Sequence, residues 1–383
     1  MNKYSLPIVE FTEEEKNFRL EVREFLETEK AKGTFETNCD SWLSGYSREF
    51  TEKLGEKGWI GMTWPKKYGG GERTAIERYI VIEELLAIGA PVAGHWFADR
   101  QTGPLLLRYG TEEQKQFFLP KIAKGKLYFA IGLSEPNSGS DLASISTKAE
   151  KVDGGWLLNG SKIWTSGAHL ADYMIVLCRT SPKDEKNRHK GMSQLIVDMK
   201  SEGITIRPIK YLTGEAHFNE VFFDNVFVPD ENVVGTIGNG WKQSMAELAF
   251  ERSGPERILS TYPILEEMFQ KLLDDMNFDG EDEIIDLVAE LINLRFMSIG
   301  VAEMLQKNVD VNLEAAIVKD LGTQFERKVA EVTRSVYPCI PSLTSGNRLE
   351  RLLAQAILHG PGFTLRGGTN EILRGIIAKG LIA

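Results

Sequence analysis

"YFAIGLSEPNSGSD", residues 128–141, is where the chain changes its period. A short apolar, β-favouring run leaves Gly132 and enters a loop dense in Ser, Asn and Gly, rich in hydroxyls and free backbone N–H groups. Upstream of it, apolar residues recur every three or four positions, as on helices. Downstream come brief β-rich runs punctuated by Gly, Asn, Asp and Pro, the pattern of a barrel or sandwich. These runs are "GWLLNGSKIWT" (155–165), "DYMIVLCR" (172–179), "MSQLIVDM" (192–199), "ITIRPI" (204–209) and "EVFFDNVFVP" (220–229). Asn159-Gly160 reads as a tight-turn pair.

Working outward, Thr12 with Glu15 forms a capping-box signature followed by Phe18, Val22, Phe25 and Leu26 at helical spacing. "TAIERYIVIEELLAIG" (74–89) is a second helix, stopped by Gly89 and Pro91, and "GTEEQKQFFLPKI" (110–122) opens on another Thr-x-x-Gln cap. After Gly240 the stretches 241–252, 282–306 and 313–336 carry apolar stripes like those of bundle helices. The order is α, β, α. It divides the chain into expected domains at 1–125, 126–233 and 234–383.

With 383 residues, 42% hydrophobic and 26% charged, the chain has the composition of a globular protein with room for two or three packed units. A net charge of -10 argues against nucleic acid as a partner, because phosphate binding needs clustered Lys and Arg. No stretch of about 18 apolar residues is present, so no membrane insertion is expected. The acidic N-terminal segment resembles no secretory or transit signal, and a cytoplasmic location is expected. Cys39, Cys178 and Cys339 are too dispersed for a disulfide framework, and five histidines in no ligand pattern argue against a metal.

Two segments offer chemistry. The loop 133–141 can hold a polar ring system or a phosphate through its N–H donors. In 162–173, Trp164 offers a face for stacking while the Thr165 and Ser166 hydroxyls reach heteroatoms of a flat ring. Taken singly, the loop is equally a plain turn, and a tryptophan beside a polar turn is more often a core residue.

Taken in order, "SEPNSGSD" (134–141), "NGSKIWTSGAHLADY" (159–173), "VFVPDENVVGTIGNGW" (226–241) and "GGTNEILR" (367–374) closely resemble the acyl-CoA dehydrogenase family along nearly the whole chain. The resemblance implies an α+β fold with an N-terminal helical domain, a central β-barrel and a C-terminal four-helix bundle. It implies FAD as cofactor, an acyl-CoA substrate and an electron-transfer flavoprotein as electron acceptor. Position by position, Leu133, Ser134 and Ser140 match the loop that touches flavin and substrate. Trp164 and Ser166, with Thr165 between them, match the residues beside the flavin ring. Thr369 matches a contact to the FAD phosphates or ribose, and Glu371 a helix-start or cofactor contact.

The reaction needs a carboxylate to take the proton α to the thioester. Many members place it in the C-terminal loop, as Glu-Gly-Thr. Here that loop reads Gly367-Gly368-Thr369, and glycine cannot take a proton. Branched-chain and long-chain members carry the base on the first long C-terminal helix, in a Leu-x-x-Glu-Arg pattern matched here by Leu248 to Arg252. The resemblance therefore makes Glu251 the base, with Glu247 and Glu256 as neighbouring rivals. Leu248, Phe250 and bound substrate would desolvate Glu251 and raise its pKa toward a useful value. Arg252, Gly367 and Gly368 join Ser140 on the substrate side.

Two family features are missing. An Arg-x-x-Phe-Gly that grips the neighbouring subunit's FAD is expected near 275–282, where the chain reads "DMNFDGEDEI" (275–284). The Gln-x-x-Gly-Gly-x-Gly-Phe segment is also absent, and "HGPGF" (359–363) comes too late. The losses resemble heterotetrameric members acting on sterol side chains, so the assembly is expected to be a homo- or heterotetramer with a related subunit. Two other readings stay open: a non-catalytic or half-site subunit of a heteromeric enzyme, and an acyl-CoA oxidase-like flavoenzyme.

Overall fold

The computed structural model describes residues 5–250, 254–274, 278–307 and 309–382. Its helices before the sheet are α1 (Glu13–Ala31), α2 (Ser41–Ser44), α3 (Arg48–Glu56), α4 (Ala75–Ala87), α5 (Ala93–Phe97), α6 (Gly103–Tyr109) and α7 (Glu112–Ala123). The strands are β1 (Phe129–Gly132), β2 (Lys148–Val152), β3 (Gly155–Ser166), β4 (Tyr173–Arg179), β5 (Met192–Asp198), β6 (Ile204–Ile209), β7 (Phe218–Pro229) and β8 (Val233–Val234). The helices that follow are α8 (Gly240–Phe250), α9 (Tyr262–Asp274), α10 (Glu281–Gln306), α11 (Asn312–Val336), α12 (Arg348–Phe363) and α13 (Asn370–Ile382). The chain divides into two units, each assembled from separated segments: 1–45, 73–91 and 251–383 in one, 46–72 and 92–250 in the other.

Local chemistry explains the helix starts. Thr12 with Glu15, Thr74 with Glu77 and Thr111 with Gln114 each form the reciprocal capping box that satisfies orphan N–H groups. In the second unit β4 is buried on both faces, which explains its unbroken apolar run. Met174, Val176 and Cys178 pack on one side with Leu158 of β3, Leu195 of β5 and Val221 of β7. Leu177 packs on the other with Leu142, Ala143, Ile145 and Met192, beneath the loop that follows β1.

The eight strands run in the order β6-β7-β3-β2-β4-β5-β8, with β1 parallel to β4. The sheet is not a closed barrel, contrary to the expectation from sequence. Closure needs the end strands to pair with each other. Among the described residues β6 pairs with β7 and the two-residue β8 with β5, so the ends stay apart.

Asn159-Gly160 is also not a turn. The β2–β3 hairpin turns instead at Asp153-Gly154, with Gly154 at φ +72°. Gly160 lies inside β3 at a register shift against β7, and a side chain there would collide with Thr147. The Asn159 amide bonds across to Asn225 and so serves the ladder.

In the first unit α11 is central, packing against α9, α10, α12 and α13. Buried Glu83 of α4 pairs with Arg19 of α1 and Arg295 of α10, tying three helices together. Among the described residues no helix is long and apolar enough to cross a membrane.

Gly322 on α11 lies against the backbone carbonyl of Arg257, which a Cβ would strike. Gly-to-Ala inside a helix ordinarily gains about 1 kcal/mol from propensity. Here overpacking reverses the sign: Gly322→Ala is expected to lose about 1–3 kcal/mol, read as a lower denaturant midpoint at unchanged slope.

Candidate functional site

The loop after β1 is held by a lysine with no exposure to solvent. Lys162 of β3 alternates onto an inward position and donates from Nζ to the Leu133 carbonyl at 3.0 Å and to Glu135 Oε1 at 2.8 Å. Glu135 also accepts from the Ser146 N–H at 2.6 Å, the Ser146 hydroxyl at 2.8 Å and the Thr147 N–H at 2.9 Å. Burial alone would raise the Glu135 carboxyl, but the Lys162 charge and these hydrogen bonds outweigh it and hold it at about 2. Burial presses Lys162 below its ordinary value, with Glu135 opposing. The loop also closes on itself through paired backbone bonds between Glu135 and Ser138, each 2.9 Å.

The Ile163 N–H donates to the Ser134 carbonyl at 2.9 Å rather than to the β7 ladder. A register shift follows between Lys162 and Thr165, and Trp164 takes φ +58°. A bulge re-aims a side chain, and a left-handed tryptophan costs about 1–3 kcal/mol, strain of a kind that clusters at functional sites. The result is a large aromatic face, 55% exposed, with Phe218 edge-on at 5.9 Å. Beside it Thr165 is 1% exposed and its hydroxyl has no partner among the described residues, although its carbonyl accepts from Asn219 Nδ2 at 3.0 Å. Ser166 is half-buried next to it.

An exposed indole face next to an orphaned buried hydroxyl fits a flat heteroaromatic ring that brings its own hydrogen-bonding atoms. The isoalloxazine of FAD is such a ring. The second unit thus brings together Leu133, Ser134, Trp164, Thr165 and Ser166, joined through Lys162 and Ile163. Ser140 lies further along the same loop and is exposed.

In the first unit Gly367 and Gly368 take φ +66° and +97°, values suited to glycine. Thr369 caps α13: its hydroxyl accepts from the Ile372 N–H at 3.4 Å. Glu371 is exposed in the first turn of α13, and its own backbone N–H with the Thr369 hydroxyl draws its carboxyl below the usual range. Glu251 and Arg252 lie outside the described residues. The rival Glu256 is buried in a turn at Pro255–Arg257.

The reading from sequence missed the supports: Lys162, Glu135 and Asn219. One signal was available. Lys162 stands four residues from core Leu158 on a strand, an inward position where a lysine needs an anionic partner.

Residues 12–126 match the family model described as acyl-CoA dehydrogenase, N-terminal domain, and residues 130–226 the one described as acyl-CoA dehydrogenase, middle domain. Acyl-CoA dehydrogenase FadE34 of Mycobacterium tuberculosis is 36% identical over 337 residues, covering 86% of this chain and 45% of that relative. The chain therefore spans less than half of that relative's length. Acyl-CoA dehydrogenase IpdE1 of the same organism is 34% identical over 336 residues, covering 87% of this chain and 86% of the relative. Among solved structures, "Tcur3481-Tcur3483 steroid ACAD" superposes with a TM-score of 0.86 at 29% identity, covering 97% of each chain.

Lys162→Met strands a buried carboxylate and is expected to destabilise the apoprotein by about 3–5 kcal/mol in chemical denaturation. Adding Glu135→Gln should restore only part of that loss, because the amide nitrogen cannot accept from the Ser146 or Thr147 N–H as the carboxylate oxygen does. Thr165→Val removes an unpaired hydroxyl at constant shape. The apoprotein should melt at or above the wild-type temperature, while FAD binding measured by fluorescence quenching weakens about two- to tenfold.

Proposed function

The chain belongs to the acyl-CoA dehydrogenase family of FAD-dependent oxidoreductases, and from that premise we propose that it forms the α,β double bond of an enoyl-CoA with Glu251 as catalytic base. The observation that carries the reading is the left-handed, exposed Trp164 beside the orphaned Thr165 hydroxyl. When bound, FAD supplies the acceptor for the hydride leaving the β-carbon, and an electron-transfer flavoprotein takes the electrons onward.

The chain's own residues do the rest. Trp164 stacks on the flavin ring, and Thr165 and Ser166 bond to its heteroatoms. Leu133 and Ser134 approach it through their backbone, which Lys162 and Ile163 hold in place. Ser140 reaches toward flavin and substrate. Thr369, at the start of α13, holds the phosphates or ribose, where a helix N-terminus favours negative charge, and Glu371 serves the helix start or contacts the cofactor. Glu251, which follows directly on α8, takes the α-proton, with Arg252 beside it. Backbone N–H groups of the chain would polarise the thioester carbonyl, stabilising enolate-like charge as it develops. Gly367 and Gly368 leave space where other members carry the base, which suits a branched or bulky acyl group such as a steroid side chain.

A second observation favours a heteromeric assembly. Carboxylates fill 275–284, where an arginine would reach a neighbouring subunit's pyrophosphate. The similar steroid ACAD structure is named as a pair, Tcur3481-Tcur3483. On this reading the chain holds the base and flavin pocket, and a related subunit supplies the cross-subunit grip.

The test is anaerobic bleaching of the bound flavin by a panel of short, long, branched and steroid-side-chain acyl-CoAs. Wild type should bleach with one class of substrate, and Glu251→Gln should slow the step by about 10²–10⁴-fold. Bleaching at the wild-type rate in the variant would remove Glu251 as the base. Rapid oxygen consumption with substrate would favour an oxidase. One FAD per subunit in a homo-oligomer of this chain alone would refute the heteromeric reading.

A further inference from the structure

The loop that carries Thr369 contains two consecutive glycines in the left-handed region, so its own covalent structure does little to fix where Thr369 stands. Its anchors come from elsewhere in the first unit. Upstream, Arg366 donates from Nη1 to Asp40 Oδ2 at 2.8 Å and from Nη2 to Asp40 Oδ1 at 3.0 Å. His359 Nδ1 lies 2.9 Å from the same Oδ2. The guanidinium lies over the rings of Trp42, at 4.8 Å, and Phe363, at 5.3 Å. Downstream, fully buried Lys319 donates to the Gly368 carbonyl at 2.6 Å. The Asn370 side chain bonds to the Asp320 carbonyl and the Thr323 hydroxyl, each at 3.3 Å. Thr369 is therefore clamped from both sides.

Asp40 is the least ordinary of these anchors. It is buried and holds a left-handed φ of +56°, which few side chains tolerate. Burial would raise its carboxyl, but the Arg366 charge and His359 outweigh that and hold it at about 2. Stability alone does not account for such a group, because an apolar pair of similar volume commonly serves as well or better. A two-point carboxylate–guanidinium fork adds direction, since it fixes the plane of the arginine as well as its distance.

We propose that Asp40 is a positioning residue for the flavin: by fixing Arg366 it sets the conformation of Gly367, Gly368 and Thr369, the loop that meets the cofactor's phosphates or ribose. This rests on the assignment of Thr369 to FAD made above. Asp40 acts through Arg366, at the far end of the sequence from it, and Lys319 completes the clamp at Gly368.

The experiment uses the protein with whatever partner subunit it retains on purification. It measures the FAD dissociation constant by quenching of flavin fluorescence and, separately, the melting temperature of the apoprotein. Asp40→Asn removes the anion from the Arg366 fork and should lower both. The deciding variant combines Asp40→Asn with Arg366→Gln, which removes both charges together. Its melting temperature should return toward wild type while FAD binding stays weaker by about tenfold or more, a loss that a merely structural role would not leave behind. Wild-type FAD affinity in the double variant overturns the proposal. If that variant does not fold, Arg366→Lys keeps the charge but loses the fork. It should show the same weakening, and unchanged affinity there also overturns the proposal. Thr369→Ala separates premise from inference. Unchanged FAD affinity in that variant removes the cofactor role of Thr369 and the proposal with it. A weakened Thr369→Ala beside an unaffected double variant overturns the positioning role alone.

Discussion

The pair of Lys162 and Glu135 is the constraint on which the second unit depends. Lys162 is completely buried, and a charge in that position persists only where a partner and hydrogen bonds compensate it. Glu135 supplies the charge and the Leu133 carbonyl a further acceptor. The loop after β1 therefore cannot leave β3 without stranding an ion. With the loop in place, the Ser134 carbonyl captures the Ile163 N–H, the ladder to β7 slips, and Trp164 is turned outward. The strain at Trp164 is offset by bonds on either side of it, from Ile163 to Ser134 and from Asn219 to Thr165.

The first unit repeats this logic with helices. Its apolar packing around α11 has the usual character, but the segment leading into α13 is held by charge: Arg366 on Asp40 and Lys319 on the Gly368 carbonyl. In both units a buried charged group ties down a loop through more than one contact. Well-packed apolar side chains can hold elements together, whereas a two-point or multi-acceptor contact also specifies orientation. Segments rich in glycine and serine, which have little conformational preference of their own, gain most from such contacts.

The departures from the family pattern are local. The two glycines before Thr369 lie in a loop, and Asp279, Glu281, Asp282 and Glu283 lie at the start of α10, where substitution leaves the packed layers untouched. The α–β–α order and its capping boxes are unaffected. Fold membership is therefore secure.

Much of this was legible in one dimension. The capping boxes at Thr12, Thr74 and Thr111 act within four residues, so the chain itself specifies those helix starts. The long stripes of α10 and α11 and the unbroken apolar run of β4 report burial directly, because solvent exclusion acts on side-chain type. Trp164, Thr165 and Ser166 could be singled out as candidates from their stacking and hydroxyl chemistry together with the resemblance. What tertiary structure alone decided depends on partners distant in sequence. Asn159-Gly160 has the composition of a turn but lies within β3, because β7 pairs across it and Asp153-Gly154 has already turned the chain. The spacing of the strands pointed to a barrel or sandwich and the resemblance to a barrel, but closure depends on whether β6 and β8 meet, and they do not. Lys162 needed Glu135, 27 residues away, and Arg366 needed Asp40, 326 residues away. A buried charge is stable only beside its counter-charge, and no local pattern states which residue that will be.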